Sequence, residues 1–230
     1  MRNAGRAIIV LLGGPGAGKG TQAQAMTDRF GLPQISTGEL LRDEGFQKSP
    51  IGLKAREIMD SGGLVPDELV HEQIAGRILR DDCRSGFILD GYPRNLNQVF
   101  MLRQTLLASD RLIAIDIDSD LEQLIPRLTG RRTCPACSAI YHIHALPPRC
   151  EGICNRCGGV LMQRSDDREE VIRERFATYR RLTQPLTDLF REWGIYNRVD
   201  GMQSPDHVAA DLFAIVQCRL HRKSPQHRAA

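Results

Sequence analysis

Aromatic side chains are scarce in this chain, 5% of 230 residues with a single tryptophan, and lysine is scarcer still, four against twenty-seven arginines. With few stacking platforms and a net charge of only +3, there is no broad basic face of the kind that nucleic-acid and membrane-surface binders use. No stretch reaches the roughly 18 apolar residues a membrane helix needs. The apolar run near the N-terminus, Ala7 to Leu12, is too short for a secretory signal and opens directly onto a glycine-rich turn. The chain is therefore expected to remain in the cytosol, where regularly spaced cysteines point to metal rather than disulfides. What is present, 41% hydrophobic and 26% charged residues, suits one soluble α/β domain with room for an insertion. The arginine excess fits planar phosphate contacts, although compositional bias accounts for much of it.

The organising stretch is AIIVLLGGPGAGKGT, residues 7–21. Ala7 to Leu12 reads as a buried parallel strand, and Gly13, four residues, then Gly18-Lys19 is the spacing of a phosphate-binding loop. Glycines let successive backbone N–H groups turn inward around an oxyanion. Lys19 adds a point charge, and the following helix aims its positive end at the same hole. Gly20 stands where a hydroxyl residue normally follows the lysine, and the hydroxyl comes one place later as Thr21.

Further strands are expected at Leu32–Ser36, Gly86–Asp90, Leu112–Ile117 and Ile195–Val199, with helices at 66–80, 95–108 and 205–219. Two short helices broken near Ser49-Pro50 fill 38–65. This alternation predicts a parallel sheet with helices on both faces, whose ligands gather at the strand C-termini. Thr129 to Ser165 interrupts the rhythm and reads as an inserted small domain; beyond Gln217 the tail lacks periodicity and is expected to be mobile.

Cys134 and Cys137 form one C-x2-C pair, and Cys154 and Cys157 a second after sixteen residues, which is the pattern of a four-thiolate structural zinc site. Iron accepts the same four sulfurs. Cys150, His142 and His144 stand outside the double pair, and Cys83 and Cys218 read as packing residues. Arginines at 42, 94, 127, 131, 132, 164, 173 and 175 stand near expected strand ends and hinges. Phosphoryl transfer depends mostly on alignment and neutralising charge, which convergent guanidinium groups supply. Asp90, on a buried strand end, is a candidate to hold magnesium through its water shell, or else a buried acid bonded to Lys19 or Thr21.

GGPGAGKGT at 13–21, QISTGELLR at 34–42, IMDSGGLVPDELV at 58–70, GFILDGYPR at 86–94, GRR at 130–132 and RSDDREEVIRER at 164–175 together resemble the adenylate kinase family, in its long form with a zinc-carrying lid. The resemblance covers almost the whole chain. It implies the P-loop nucleoside monophosphate kinase fold, with a five-stranded parallel sheet, and Mg-dependent transfer of the terminal phosphoryl of ATP to AMP, giving two ADP. It divides the chain into core (1–35, 66–127 and 166–220), AMP-binding domain (36–65), lid (128–165) and tail (221–230).

Carried over by motif, Gly14, Pro15, Gly16, Ala17, Gly18, Lys19, Gly20 and Thr21 hold ATP, with Arg127 and Arg131 reaching it from the lid hinge. Ile140 and Tyr141 match lid positions near ATP, and Gln203 matches a backbone contact to its adenine, though Met202-Gln203 departs from the family's residues there. Thr37, Arg42, Gly63, Leu64, Val65, Gly91, Tyr92, Pro93, Arg94 and Gln98 take AMP, and Arg164 and Arg175 bridge the reacting phosphates. The catalytic set implied is Lys19, Arg94, Arg127, Arg131, Arg164, Arg175 and Asp90. Asp166 and Asp167 match family acids of the lid hinge, which leaves pairing with the arginines and a metal role both open. A monomer is implied, with neither nucleic acid nor membrane as partner. The alternatives are a kinase for UMP, CMP or GMP and, more remotely, a zinc-ribbon nucleic-acid-binding ATPase.

Overall fold

Strand β1 (Ala7–Leu12) is buried along its whole length, and its alternate residues serve opposite faces. Ala7, Ile9 and Leu11 join one apolar cluster, while Ile8, Val10 and Leu12 join another. At about 2 kcal/mol for each large aliphatic side chain removed from water, the five large residues of this strand contribute on the order of 10 kcal/mol before the entropy of ordering is counted. The structure is a computed structural model and describes residues 5–43 and 48–221.

Around β1 lie β2 (Gln34–Ser36), β3 (Gly86–Asp90), β4 (Arg111–Asp118) and, beyond a separate two-stranded sheet of β5 (Arg131–Thr133) and β6 (Ile140–His142), β7 (Tyr196–Asp200). The five-stranded sheet has the order β2-β3-β1-β4-β7 and is parallel throughout. Its order reverses on either side of β1, so the crevice at the carboxyl end of β1 is where a ligand is to be sought.

The helices are α1 (Lys19–Phe30), α2 (Thr37–Arg42), α3 (Pro50–Asp60), α4 (Asp67–Ile78), α5 (Leu96–Thr105), α6 (Leu121–Thr129), α7 (Glu169–Thr178), α8 (Leu186–Glu192) and α9 (Pro205–His221). Met26 of α1, Leu124 of α6, Phe176 of α7 and Leu212 of α9 pack on the Ile9 face. Ile74 of α4, Leu102 of α5 and Phe190 of α8 pack on the Ile8 face.

Several boundaries differ from the sequence expectation. Pro33 has no N–H to give a ladder, so β2 begins only at Gln34, although the Pro33 carbonyl still accepts from Ile88. Pro66 and Asn95 precede their helices rather than opening them, and the Asn95 side chain accepts from the Gln98 N–H. β4 and β7 run on to Asp118 and Asp200, and α9 continues to His221. The tail expected to be mobile otherwise lies outside the described residues. Between α7 and α8 the chain makes a π-helical turn, Tyr179–Thr183, that the sequence did not signal.

Candidate active site and metal centre

The loop after β1 turns through three glycines, Gly13, Gly16 and Gly18, that no other residue replaces without strain. Gly13 (φ 133°) has no room for a Cβ, which would lie 2.7 Å from the Ile117 carbonyl oxygen, and Gly18 (φ 91°) caps α1 in the left-handed region. Lys19 folds back, its Nζ donating to the carbonyls of Gly13 (2.7 Å) and Gly14 (2.9 Å). Burial lowers its ammonium from 10.5 to about 8; Asp90 opposes this, while Arg94, Arg175 and Arg131 add to it.

Lys19, Arg42, Arg94, Asp166 and Arg175 share the walls of one cleft of about 730 Å³ with Pro15, Gly63 and Leu64. A smaller recess of about 350 Å³ adjoins it, lined by Thr37, Leu41, Val65, Gly91, Arg94 and Gln98 among others. Arg94 is held by its Nε donating to the Gly91 carbonyl (2.7 Å), and burial together with Arg175 lowers it to about 10. Burial and the neighbouring Arg131 and Arg42 lower Arg164 to about 9. These cations are desolvated and crowded together without enough counter-charge, which is the arrangement an anion relieves.

Two buried carboxylates supply part of the balance. Asp167 takes Arg131 bidentately (2.6 and 2.8 Å) and also reaches Arg175 (3.3 Å). Asp166 pairs with Arg42 (2.8 Å) and Arg175 (3.2 Å). Burial pushes the Asp166 carboxyl upward, but Arg175, Arg42, Arg131 and Arg164 outweigh it and hold the group below its usual range. Its Oδ1 is nevertheless buried without a hydrogen-bond partner.

In the inserted segment, the sulfurs of Cys134, Cys137, Cys154 and Cys157 all lie within 4.8 Å of one another. Three of the separations are 3.4, 3.6 and 3.4 Å. Tetrahedral zinc at about 2.3 Å from each sulfur spaces the sulfurs by about 3.8 Å, so the cluster fits a four-thiolate ion. Tyr141 donates its hydroxyl toward Cys154 Sγ (3.5 Å), an outer-shell contact that fixes the thiolate.

A family model for adenylate kinase matches residues 11–195. The adenylate kinases of Thermodesulfovibrio yellowstonii and Geobacter sp. strain M21 are each 44% identical over 211 residues, covering 91% of this chain and 98% and 99% of theirs. That of Archaeoglobus fulgidus is 43% identical over 91% of this chain and 97% of its own. The chain belongs to the adenylate kinase family. It is a transferase of the nucleoside monophosphate kinase class.

Not every residue expected at an adenylate kinase site lines the cleft. Tyr92 is wholly buried in the core, its hydroxyl donating to the Gln98 carbonyl (3.1 Å). Tyr141 is buried with Cys134, Cys154 and Leu161 in the small core of the inserted segment. Arg173 is exposed and pairs with Glu169 and Glu122, away from the cleft. Arg132 donates to the carbonyls of Thr129 and Arg131.

Arg127 and Gln203 are exposed near the β7 end, where Arg127 reaches the Gly201 carbonyl (3.4 Å) and Gln203 bonds Asp211. Asp90 accepts from Gln34 (3.2 Å) and not from Lys19 or Thr21. A Cβ on Gly20 would lie 3.5 Å from the Asp90 carboxylate and 3.9 Å from Ile140, so the missing side chain leaves a gap between loop, strand end and lid. Met59, Gly62, Tyr179 and Thr183 also line the cleft. Of these, Met59 and Gly62 stand in the IMDSGGLVPDELV motif, while Tyr179 and Thr183 had no sequence cue.

Proposed function

We propose that this adenylate kinase moves the terminal phosphoryl of ATP to AMP in line and reversibly, giving two ADP. The observation that carries the reading is that Lys19, Arg42, Arg94 and Arg175 share one cleft with the phosphate loop, although four separate stretches of sequence contribute them. The loop amides from Gly14 to Thr21 and Lys19 hold the ATP phosphates. Arg42 and Arg94 take the AMP phosphate, and Arg131, Arg164 and Arg175 bridge the reacting groups. The small recess under Leu64, Val65 and Gln98 receives the AMP base, which favours AMP over UMP or CMP. Arg127, Ile140, the Tyr141 backbone and Gln203 lie along the ATP side.

Residues 36–65 act as the AMP-binding flap and 128–165 as the lid; closure of both excludes the water that would otherwise hydrolyse ATP. Asp90, with its Oδ1 uncommitted to protein, fits a role holding the water shell of magnesium, which offsets charge on the triphosphate. Zinc on the four cysteines orders the lid and has no open position for catalysis.

No helix among the described residues is long and apolar enough to cross a membrane, and we place the enzyme, as a monomer, in the cytosol. Product analysis with ATP and magnesium, offering AMP, UMP, CMP and GMP separately, tests the assignment. ADP formed from AMP in preference to the others is expected; comparable turnover of UMP or CMP refutes it.

A further inference from the structure

Gln98 is 2% exposed at the inner end of the small recess, and its amide is held from both sides. Its Oε1 accepts from the backbone N–H of Arg94 (2.7 Å), and its Nε2 donates to Asp67 Oδ1 (2.7 Å). An amide turned end for end would set N–H against N–H at Arg94 and a carbonyl against a carboxylate at Asp67, so its orientation is forced by its partners. Asp67 lies outside the lining of the recess and is itself fixed by Asn95 (2.8 Å) and Asn97 (2.9 Å). These three amide donors outweigh the upward push of partial burial and hold its carboxyl below the ordinary range, so it stays an ionised acceptor at neutral pH.

With those two bonds made, the Gln98 amide has one N–H and one carbonyl lone pair left, in a fixed order. That pair matches a purine edge with an acceptor ring nitrogen beside an exocyclic amine, which is the edge of adenine. Hypoxanthine and guanine carry the reverse order, ring N–H beside a carbonyl. Against a locked amide they leave two like groups facing each other, a mismatch that polar pockets reject strongly.

We infer that Asp67 is a specificity-positioning residue, locking the Gln98 amide so that the acceptor site takes 6-amino and rejects 6-oxo purine monophosphates. The inference rests on the reading that the recess under Gln98 receives the acceptor base. Asp67 touches no substrate; it acts through the amide it orients.

The test is the ratio of kcat/KM for AMP to that for IMP, which differs from AMP only at this edge. Asp67→Ser keeps a hydroxyl suited to the start of α4 but does not reach Gln98, and is expected to narrow the ratio by about tenfold, with AMP losing and IMP gaining. Asp67→Asn keeps the shape while offering an amide that faces Gln98 either way, and is expected to narrow it by about threefold with an unchanged fold. A merely structural role lowers both acceptors together and leaves the ratio alone. Ratios within about twofold of wild type in the folded variants overturn the inference, and Asp67→Asn alone decides it if Asp67→Ser does not fold. Gln98→Leu separates the two levels. If it leaves the ratio intact, the base does not sit at Gln98 and the reading of the recess fails; if it collapses the ratio while both Asp67 variants keep it, only the role of Asp67 fails.

Discussion

Replacing Lys19 by methionine is expected to stabilise the nucleotide-free enzyme while nearly abolishing its activity. In the folded chain the ammonium titrates at about 8 against 10.5, a displacement worth roughly 3 kcal/mol at neutral pH. Its bonds to the Gly13 and Gly14 carbonyls return about 1 kcal/mol each. Losing the charge therefore leaves a net gain of about 1 kcal/mol, or a Tm higher by about 2–4 °C for a chain of this size.

The sign with pH follows from which state holds the proton. Between about 8 and 10.5 the unfolded chain keeps a proton that the folded chain has released, so wild-type stability rises with pH across that window, and below it the full cost of the charge is present. Methionine removes that slope, so the variant's advantage at pH 7 is expected to shrink and reverse by about pH 10. Turnover is expected to fall by about 10²–10³, the cost of deleting one group aimed at the charge that develops in transfer. Thermal melts from neutral to alkaline pH, beside a coupled ADP assay, read both. A variant that melts several degrees below wild type at neutral pH, parallel pH slopes, or near-normal turnover would refute the reasoning.

Arg94→Ala is expected to lower kcat/KM for AMP by about 10²–10³ with the fold intact; retention of most activity contradicts its place at the acceptor phosphate. Stripping the metal, or Cys154→Ser, is expected to unfold the lid and leave the core. The buried cluster of this segment is Cys134, Tyr141, Cys154 and Leu161 with Cys137 and Ala139 packed against it, too little apolar surface to offset about 1–2 kcal/mol of backbone entropy per ordered residue. Limited proteolysis cutting within 134–160 while 5–125 survives is the expected result, and an undigested lid after chelation counts against it. Gly130→Ala tests the hinge. The φ there suits alanine, but the new Cβ would lie 2.3 Å from His142 Nε2, which bonds the Pro126 carbonyl (3.1 Å). Unseating that ring is expected to cost about 1–2 kcal/mol and raise KM for ATP severalfold; unchanged melting and KM would show that the contact is dispensable.

Much of this was legible in the sequence because its signals were local. The all-apolar run 7–12, the glycine spacing after it and the paired cysteines each depend on a few adjacent residues, and the strand, the loop and the thiolate cluster follow. Pairing with arginines was one of two readings open for Asp166 and Asp167, and the pairs appear as Asp166 with Arg42 and Asp167 with Arg131. What failed was the direction in which a side chain points. Tyr92 and Tyr141 stand in motifs of the site, yet both aromatic rings serve a core, because burying a large ring outweighs presenting it to a polar cleft. Thr183, whose hydroxyl donates to the Arg94 carbonyl (2.8 Å), is brought there by a π turn, which has no pattern distinguishing it from an ordinary helix. The Asp67 to Gln98 contact spans 31 residues and joins two helix starts, so only the folded arrangement reveals it.

The small net charge takes on a more specific meaning once the chain is folded. Lys19, Arg42, Arg94, Arg131, Arg164 and Arg175 gather around Asp90, Asp166, Asp167 and Glu39, an excess of two cations in one place, out of a formal excess of three for the whole chain. Desolvation there lowers Lys19, Arg94, Arg164 and Arg175 alike, which means the empty site holds charge at a cost and polyanionic ligands relieve it. Asp166 and Asp167 limit that cost without removing it: they are buried on the arginine side and hold the guanidinium groups in place. An array of charge whose geometry is set beforehand is what phosphoryl transfer relies on.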